Sequence, residues 1–187
     1  MRSDLYIILV HHPVLDKNGT IVTTALTNMD IHDIARSAFT FGVRRFFVVH
    51  PVRALQALAE KILEHWESGY GSTYNTTRKE ALSLTSVQSD LDDALIEIER
   101  LSGRRPWVVV TSARSDGGSI GFEELRRRLD DSSEPCALIL GTGWGLAPAV
   151  LERADARLEP ILGTGDYNHL SVRAAAAIIL DRLRGKR

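Results

Sequence analysis

The sequence predicts an α/β protein: a mostly parallel sheet with helices on both faces. Three observations predict it. Strand-length apolar runs alternate with segments of helical periodicity, the runs are continuously apolar as in strands buried on both faces, and glycine-rich turns close two of them.

The first run, Leu5–Val10, is a six-residue strand without a polar position. A long connection, 11–27, follows it. Within that connection Asp16-Lys17-Asn18-Gly19 is a hairpin-turn signal and Ile21-Val22-Thr23-Thr24 a returning strand. A helix is expected to start at Ile31, with Asp30 as its cap, and strand 46–49 comes next. Leu55, Leu58, Ile62 and Trp66 then recur at helical spacing, predicting a core-facing stripe. Segment 68–77 is polar and glycine-bearing; it reads as a flexible surface link within reach of a substrate. Strand 81–87 is followed by a second helical stripe of Leu91, Leu95, Ile98 and Leu101, then by strand Trp107–Val110. Leu125 and Leu129 mark a short helix over 122–129, and strands 136–140 and 158–162 follow. The last element is a helix from 168 to 183 with Val172, Ala175, Ala176, Ile179, Leu180 and Leu183 on one face.

Composition narrows the function classes. A chain of 187 residues, 44% hydrophobic and of net charge −1, supports one sizeable core, so a single domain over 1–187 is expected. The balance lacks the strongly basic signature of many nucleic-acid binders. Arg44-Arg45, Arg104-Arg105, Arg126-Arg127-Arg128 and the run 182–187 read as solvated helix faces and ends. Cys136, the single cysteine, sits in an apolar strand and reads as a reduced, buried thiol. No apolar run is long enough to span a bilayer and no leader signature opens the chain; a cytoplasmic location without membrane contact is expected.

The most informative feature is a repeat. Ile139-Leu140-Gly141-Thr142-Gly143 returns as Ile161-Leu162-Gly163-Thr164-Gly165, each closing an apolar run. Glycine admits positive φ and close approach to the main chain, and ligands of parallel sheets gather at the carboxyl ends of strands, so the pair predicts one ligand held between two loops.

Three segments, in this order, resemble the motifs of the SPOUT, or α/β-knot, RNA methyltransferases. Residues 28–43, with Arg36 on a helix leading into Gly42 and strand 46–49, resemble the first motif. Leu138-Ile139-Leu140-Gly141-Thr142-Gly143-Trp144-Gly145-Leu146 is similar to the second, and residues 159–176, ending in an alanine-rich helix, are similar to the third. The resemblance implies a C-terminal trefoil knot, although chains in general do not thread loops. It also implies S-adenosylmethionine held by the knot loops, and a homodimer with the active site near its interface. On that carry-over Leu140, Gly141, Thr142, Gly143 and Gly145 line one side of the cofactor. Ile161, Leu162 and Gly163 offer backbone groups to the adenine, Leu170 and Ser171 close the pocket, and Arg36 lies by the reacting group.

The activity implied is methyl transfer to a base or ribose of tRNA or rRNA. Alignment and proton removal are then the protein's tasks, for which Asp30 and Asp166 are the candidate bases and Arg36 the oxygen-holding cation. The chain departs from the ribose-methylating pattern at His32, which stands for a glycine, and at Ser171 and Arg173. Residues 168–173 look like the corresponding turn of bacterial tRNA guanosine-N1 methyltransferases, with Ala174 to Ala177 replacing their tryptophan-arginine continuation.

Two other classes stay open: a non-catalytic module binding S-adenosylmethionine or RNA and, ranked below it, a dinucleotide-binding oxidoreductase. For the latter the glycine loop follows the fifth strand instead of the first. No metal site is expected, because His11 and His12 point to opposite faces and no third ligand is spaced to join them. His50 and His169 read as polar residues at loop ends. Trp144 is a candidate for stacking on a base, with packing as its plainer role.

Overall fold

The computed structural model describes residues 2–114 and 117–186; Arg187, which closes the basic run, lies outside them. In chain order the elements are β1 (Leu5–Val10), β2 (Val14–Leu15), β3 (Ile21–Val22), α1 (Asn28–Thr40), β4 (Arg45–Val49), α2 (Arg53–Glu67), α3 (Gly71–Tyr74) and α4 (Thr76–Leu82). Then follow β5 (Thr85–Gln88), α5 (Leu91–Ser102), β6 (Trp107–Val110), α6 (Phe122–Asp131), β7 (Cys136–Gly141), α7 (Pro148–Leu151), β8 (Ala156–Arg157) and α8 (Val172–Arg184). Six strands form one parallel sheet in the order β5-β4-β1-β7-β6-β8, with Ile8 opposite Phe47 on one side and Ile139 on the other.

The continuous apolar runs work as expected. Leu5, Ile7 and Leu9 enter one core layer with Phe46, Val48, Leu138 and helices α1, α6 and α8, while Tyr6, Ile8 and Val10 enter the opposite layer with Phe47, Ile139 and α5. Burying β1 wholly on both faces removes its apolar side chains from water at about 25 cal/mol per Å², the main force that fixes this strand at the centre. Cys136 is buried in the first layer, and that burial pushes its thiol pKa up to about 12. The hairpin also forms: β2 and β3 pair antiparallel, the Asp16 carboxylate accepts from the amides of Asn18 and Thr20 at 2.8 Å each, and Gly19 takes φ +79°.

Several boundaries differ from expectation. The helix expected at Ile31 begins at Asn28, and its cap is Thr27, not Asp30. The Thr27 hydroxyl accepts from the Asp30 amide at 3.1 Å and donates to the Asp30 carboxylate at 2.6 Å, a reciprocal arrangement that consumes the first-turn donor. Segment 81–87 is not one strand: α4 holds Ala81 and Leu82, and pairing begins only at Thr85. Segment 158–162 is not a strand either. The ladder lies at Ala156–Arg157, Leu158 adds a single bridge to Ile120, and Pro160, with no N–H to donate, cannot continue it. Segment 68–77 contains α3, a helical turn, where a flexible link was expected. The last helix starts at Val172 instead of 168, capped by the Ser171 hydroxyl. In the two helical stripes Leu58 and Leu101 are exposed, and Ala59 and Ala94 are buried instead.

The arginine clusters are less solvated than expected. Arg128 lies 3.9 Å from the centre of the Trp107 ring, Arg182 lies 4.6 Å from that of Phe122, and Arg126 donates to the carbonyls of Arg182 and Gly185. They tie α6 to α8.

Candidate active site

Strands β1, β6 and β7 end together, and the chain leaves each of them into a loop. A cavity of about 790 Å³ lies among these loops, at the carboxyl edge of the sheet. Four stretches wall it: Leu15, Thr24 and Ala25 from the hairpin connection; residues 111–114 after β6; residues 140–146 after β7; and, on the C-terminal side, Glu159, Ile161, Asp166 and residues 168–173.

The two repeated pentapeptides take different conformations. The first closes β7, and Gly143 and Gly145 behind it adopt φ of +61° and +114°. A Cβ on Gly143 would stand 2.8 Å from the Leu15 carbonyl oxygen, and one on Gly141 would stand 2.9 Å from Leu146 Cγ, so this turn is glycine by necessity. The hairpin grips it: the Leu15 amide donates to Gly145 at 2.8 Å, and the Trp144 amide donates to Leu15 at 2.9 Å. The second pentapeptide is irregular and mostly exposed, and added Cβ atoms on Gly163 and Gly165 would meet nothing. Sequence identity here does not carry structural identity.

Of the residues singled out from sequence, Leu140, Gly141, Thr142, Gly143, Gly145, Ile161, Leu170 and Ser171 line the cavity together with Asp30 and Asp166. Leu162, at 70% exposed, and Gly163 lie outside its wall. Arg36 also lies outside. Its side chain is 58% exposed, 3.9 Å from Asp33, in a shallower groove between α1 and α8 that shares Ser171 and Arg173 with the main cavity.

The two candidate carboxylates differ. Asp30 is buried at 6% exposure, paired with Arg173 at 3.0 Å and bonded to Thr27. Asp166 is exposed at the rim. Arg173 was visible in sequence only as a departure from a motif. In the structure it bridges Asp30 and Asp33, the latter at 3.6 Å, and thereby fastens the start of α8 to α1. Glu159 was not singled out; it reaches the wall and accepts from the Phe122 amide at 2.7 Å.

Behind the wall lie two buried histidines, His11 and His50, with ring centres 5.3 Å apart. Burial, then the neighbouring His50, pushes the pKa of His11 down to about 4, and burial lowers that of His50 as well. Both rings are neutral at pH 7. Among the described residues no group of three or more His, Cys, Asp or Glu is placed to hold a metal ion, and no helix is long and apolar enough to cross a membrane.

Comparison with known proteins bears on this geometry. A family model described as SAM-dependent RNA methyltransferase matches residues 4–185. A tRNA (guanine-N(1)-)-methyltransferase of Oleidesulfovibrio alaskensis is 46% identical over 97% of the chain, which spans only 42% of that protein's length. An uncharacterized protein of Aquifex aeolicus is 38% identical over 98% of the chain and 89% of its own. The crystal structure of the A. aeolicus TrmH/SpoU tRNA modifying enzyme superposes with a TM-score of 0.58 at 18% identity, covering 98% of this chain and 75% of that one. At that identity the likeness is one of fold.

Proposed function

The chain belongs to the family of S-adenosylmethionine-dependent RNA methyltransferases, and from that premise we propose that its 790 Å³ cavity binds the cofactor and presents it to a nucleotide of tRNA or rRNA. The observation that carries this reading is the placement of the cavity, at the ends of β1, β6 and β7 and walled by the first glycine loop and by Ile161 and Asp166 on either side of the second. Its chemistry fits. The wall combines apolar Leu140, Leu146, Ile161 and Ile179 with hydroxyls of Thr24, Thr142 and Ser171, with three carboxylates and with the guanidinium groups of Arg114 and Arg173, the latter paired with Asp30. Three carboxylates against two guanidinium groups suit a nucleoside that carries a positive centre.

S-adenosylmethionine supplies an electrophilic methyl group; the residues of this chain have to hold, align and deprotonate. We assign Asp166, free of a buried ion pair and at the rim, as the group that takes the proton from the acceptor nucleotide. Asp30 holds Arg173, and through it the mouth of the cavity, in place. Arg36, outside the cavity of its own chain, serves the acceptor in a second copy; this reading makes the active unit a homodimer built on the α1–α8 groove, where Ala174 and Ala177 allow close packing. The fold likeness to the TrmH/SpoU enzyme supports a C-terminal trefoil knot, and a single domain over 1–187 and a cytoplasmic location complete the proposal.

The test is incorporation of tritiated methyl from S-adenosylmethionine into bulk tRNA and rRNA, beside calorimetric titration with S-adenosylmethionine, S-adenosylhomocysteine and NAD. Label in either RNA supports the enzyme. Binding without transfer supports a non-catalytic module, and binding of NAD alone supports the oxidoreductase. The guanine-N1 activity in the relative's name belongs to a chain more than twice as long, so both RNA pools have to be assayed.

A further inference from the structure

Segment 68–77, which the cavity does not use, presents two tyrosine rings to solvent. Tyr70 and Tyr74 are 75% and 74% exposed, and their rings stack with centres 5.9 Å apart and planes 25° from parallel. The turn that carries them is seated without slack. A Cβ on Gly71 would come within 2.8 Å of the Trp66 ring, and one on Gly69 within 2.7 Å of the His65 carbonyl oxygen. Asn75 closes the turn by capping α4. The two rings are held side by side on a fitted base, where aromatic side chains would ordinarily be buried.

This platform is joined to the groove beside the cavity. The Arg78 guanidinium lies 4.9 Å from the centre of the Trp66 ring, and Trp66 stands edge-on to His32 of α1 at 5.5 Å. One helical turn beyond His32 is Arg36, which shares its groove with Arg173. Burial first, and then the charges of Arg78 and Arg36 against that of Asp33, lower the His32 pKa, as expected where cations outweigh anions locally. Aromatic faces beside guanidinium groups are what an unpaired RNA strand needs: bases stack on the rings, and phosphates meet the cations.

We propose that Tyr70 and Tyr74 form a stacking platform for unpaired bases of the RNA strand that flanks the methylated nucleotide, with Arg78 and Arg36 meeting the phosphates between. The inference rests on the RNA methyltransferase reading and adds to it a second, sequence-tolerant contact, outside the cavity. A paired duplex, whose bases are already stacked, gains nothing from the platform.

The test is fluorescence anisotropy with a labelled poly(U) oligoribonucleotide, compared with a poly(A)·poly(U) duplex, on the wild type, Tyr70→Ala/Tyr74→Ala and Tyr70→Phe/Tyr74→Phe. Removing both rings is expected to weaken single-strand binding by about tenfold or more while the phenylalanine pair retains it. S-adenosylmethionine affinity, thermal midpoint and duplex binding should be unchanged. Wild-type affinity in the alanine variant overturns the platform and leaves the methyltransferase reading intact. A change in self-association in place of RNA affinity also overturns it, assigning the rings to a second copy of the chain. A wild type that binds S-adenosylmethionine but no RNA overturns the RNA reading itself.

Discussion

Thr24 and Thr142, 118 residues apart in the chain, meet hydroxyl to hydroxyl at 2.5 Å in the cavity wall. Thr142 also donates to the Val10 carbonyl at 3.0 Å, and the Thr24 hydroxyl lies 3.1 Å from His11 Nδ1 and 3.4 Å from the His11 carbonyl oxygen. The contact ties a buried histidine to the seat of the first glycine turn. Among the described residues His11 Nε2 has no hydrogen-bond partner.

Thr24→Val removes that junction and leaves His11 Nδ1 buried without this partner. A loss of about 1–3 kcal/mol in unfolding free energy is expected. Affinity for S-adenosylmethionine should fall in the same variant, whereas Thr23→Val, at an exposed neighbour, should change neither. Urea unfolding and calorimetry read both quantities.

The buried histidine also sets a pH dependence. Its pKa, about 4 in the folded chain, lies below its unfolded value of about 6.5, so between those limits the unfolded state binds the extra proton. Stability is therefore complete above pH 6.5, falls as pH drops toward 4, and levels off below, a change on the order of 3 kcal/mol from this group. His50 acts in the same direction. Thermal midpoints of His11→Gln against pH should show a shallower decline; an equally steep one would assign the slope to other groups.

Arg173→Ala leaves Asp30 buried without its ion pair. Because Arg173 is one-third exposed, the expected cost is about 2 kcal/mol, less than for a wholly buried pair. The start of α8 should loosen from α1, which hydrogen exchange at the Val172–Arg184 amides would detect as faster opening.

The two glycine loops make opposite predictions. Gly143→Ala forces a side chain into positive φ against the Leu15 carbonyl, and a loss of about 1–3 kcal/mol together with weaker cofactor binding is expected. Gly165→Ala, with open space around the new Cβ and no positive φ, should leave the thermal midpoint unchanged.

Much of the fold was legible because burial on both faces leaves a strong local mark. Leu5–Val10 and Trp107–Val110 form the strands read from their composition, and the Asp16 to Gly19 turn encodes its hairpin through side-chain and φ preferences of its own residues. The errors fall where two local signals compete. Ala81 and Leu82 suit a strand or a helix equally, and the preceding Arg78-Lys79-Glu80 run had already started a helix. Thr27 and Asp30 are both competent caps for α1, and which one acts depends on where the helix is pulled by packing.

By itself, then, the sequence determined the strands buried on both faces, the doubly covered sheet, the first glycine turn and the motif order, since each depends on apolar periodicity or on backbone preferences that neighbouring residues set. Only the tertiary structure decided that identical pentapeptides adopt different shapes, that Asp30 is held by Arg173 while Asp166 stays at the rim, and that Arg36 lines the neighbouring groove instead of the cavity. The grip of Leu15 on the first pentapeptide and the pairing of Asp30 with Arg173 are contacts between residues more than a hundred positions apart, and the chain acquires such contacts only when the sheet closes and brings its strand ends together.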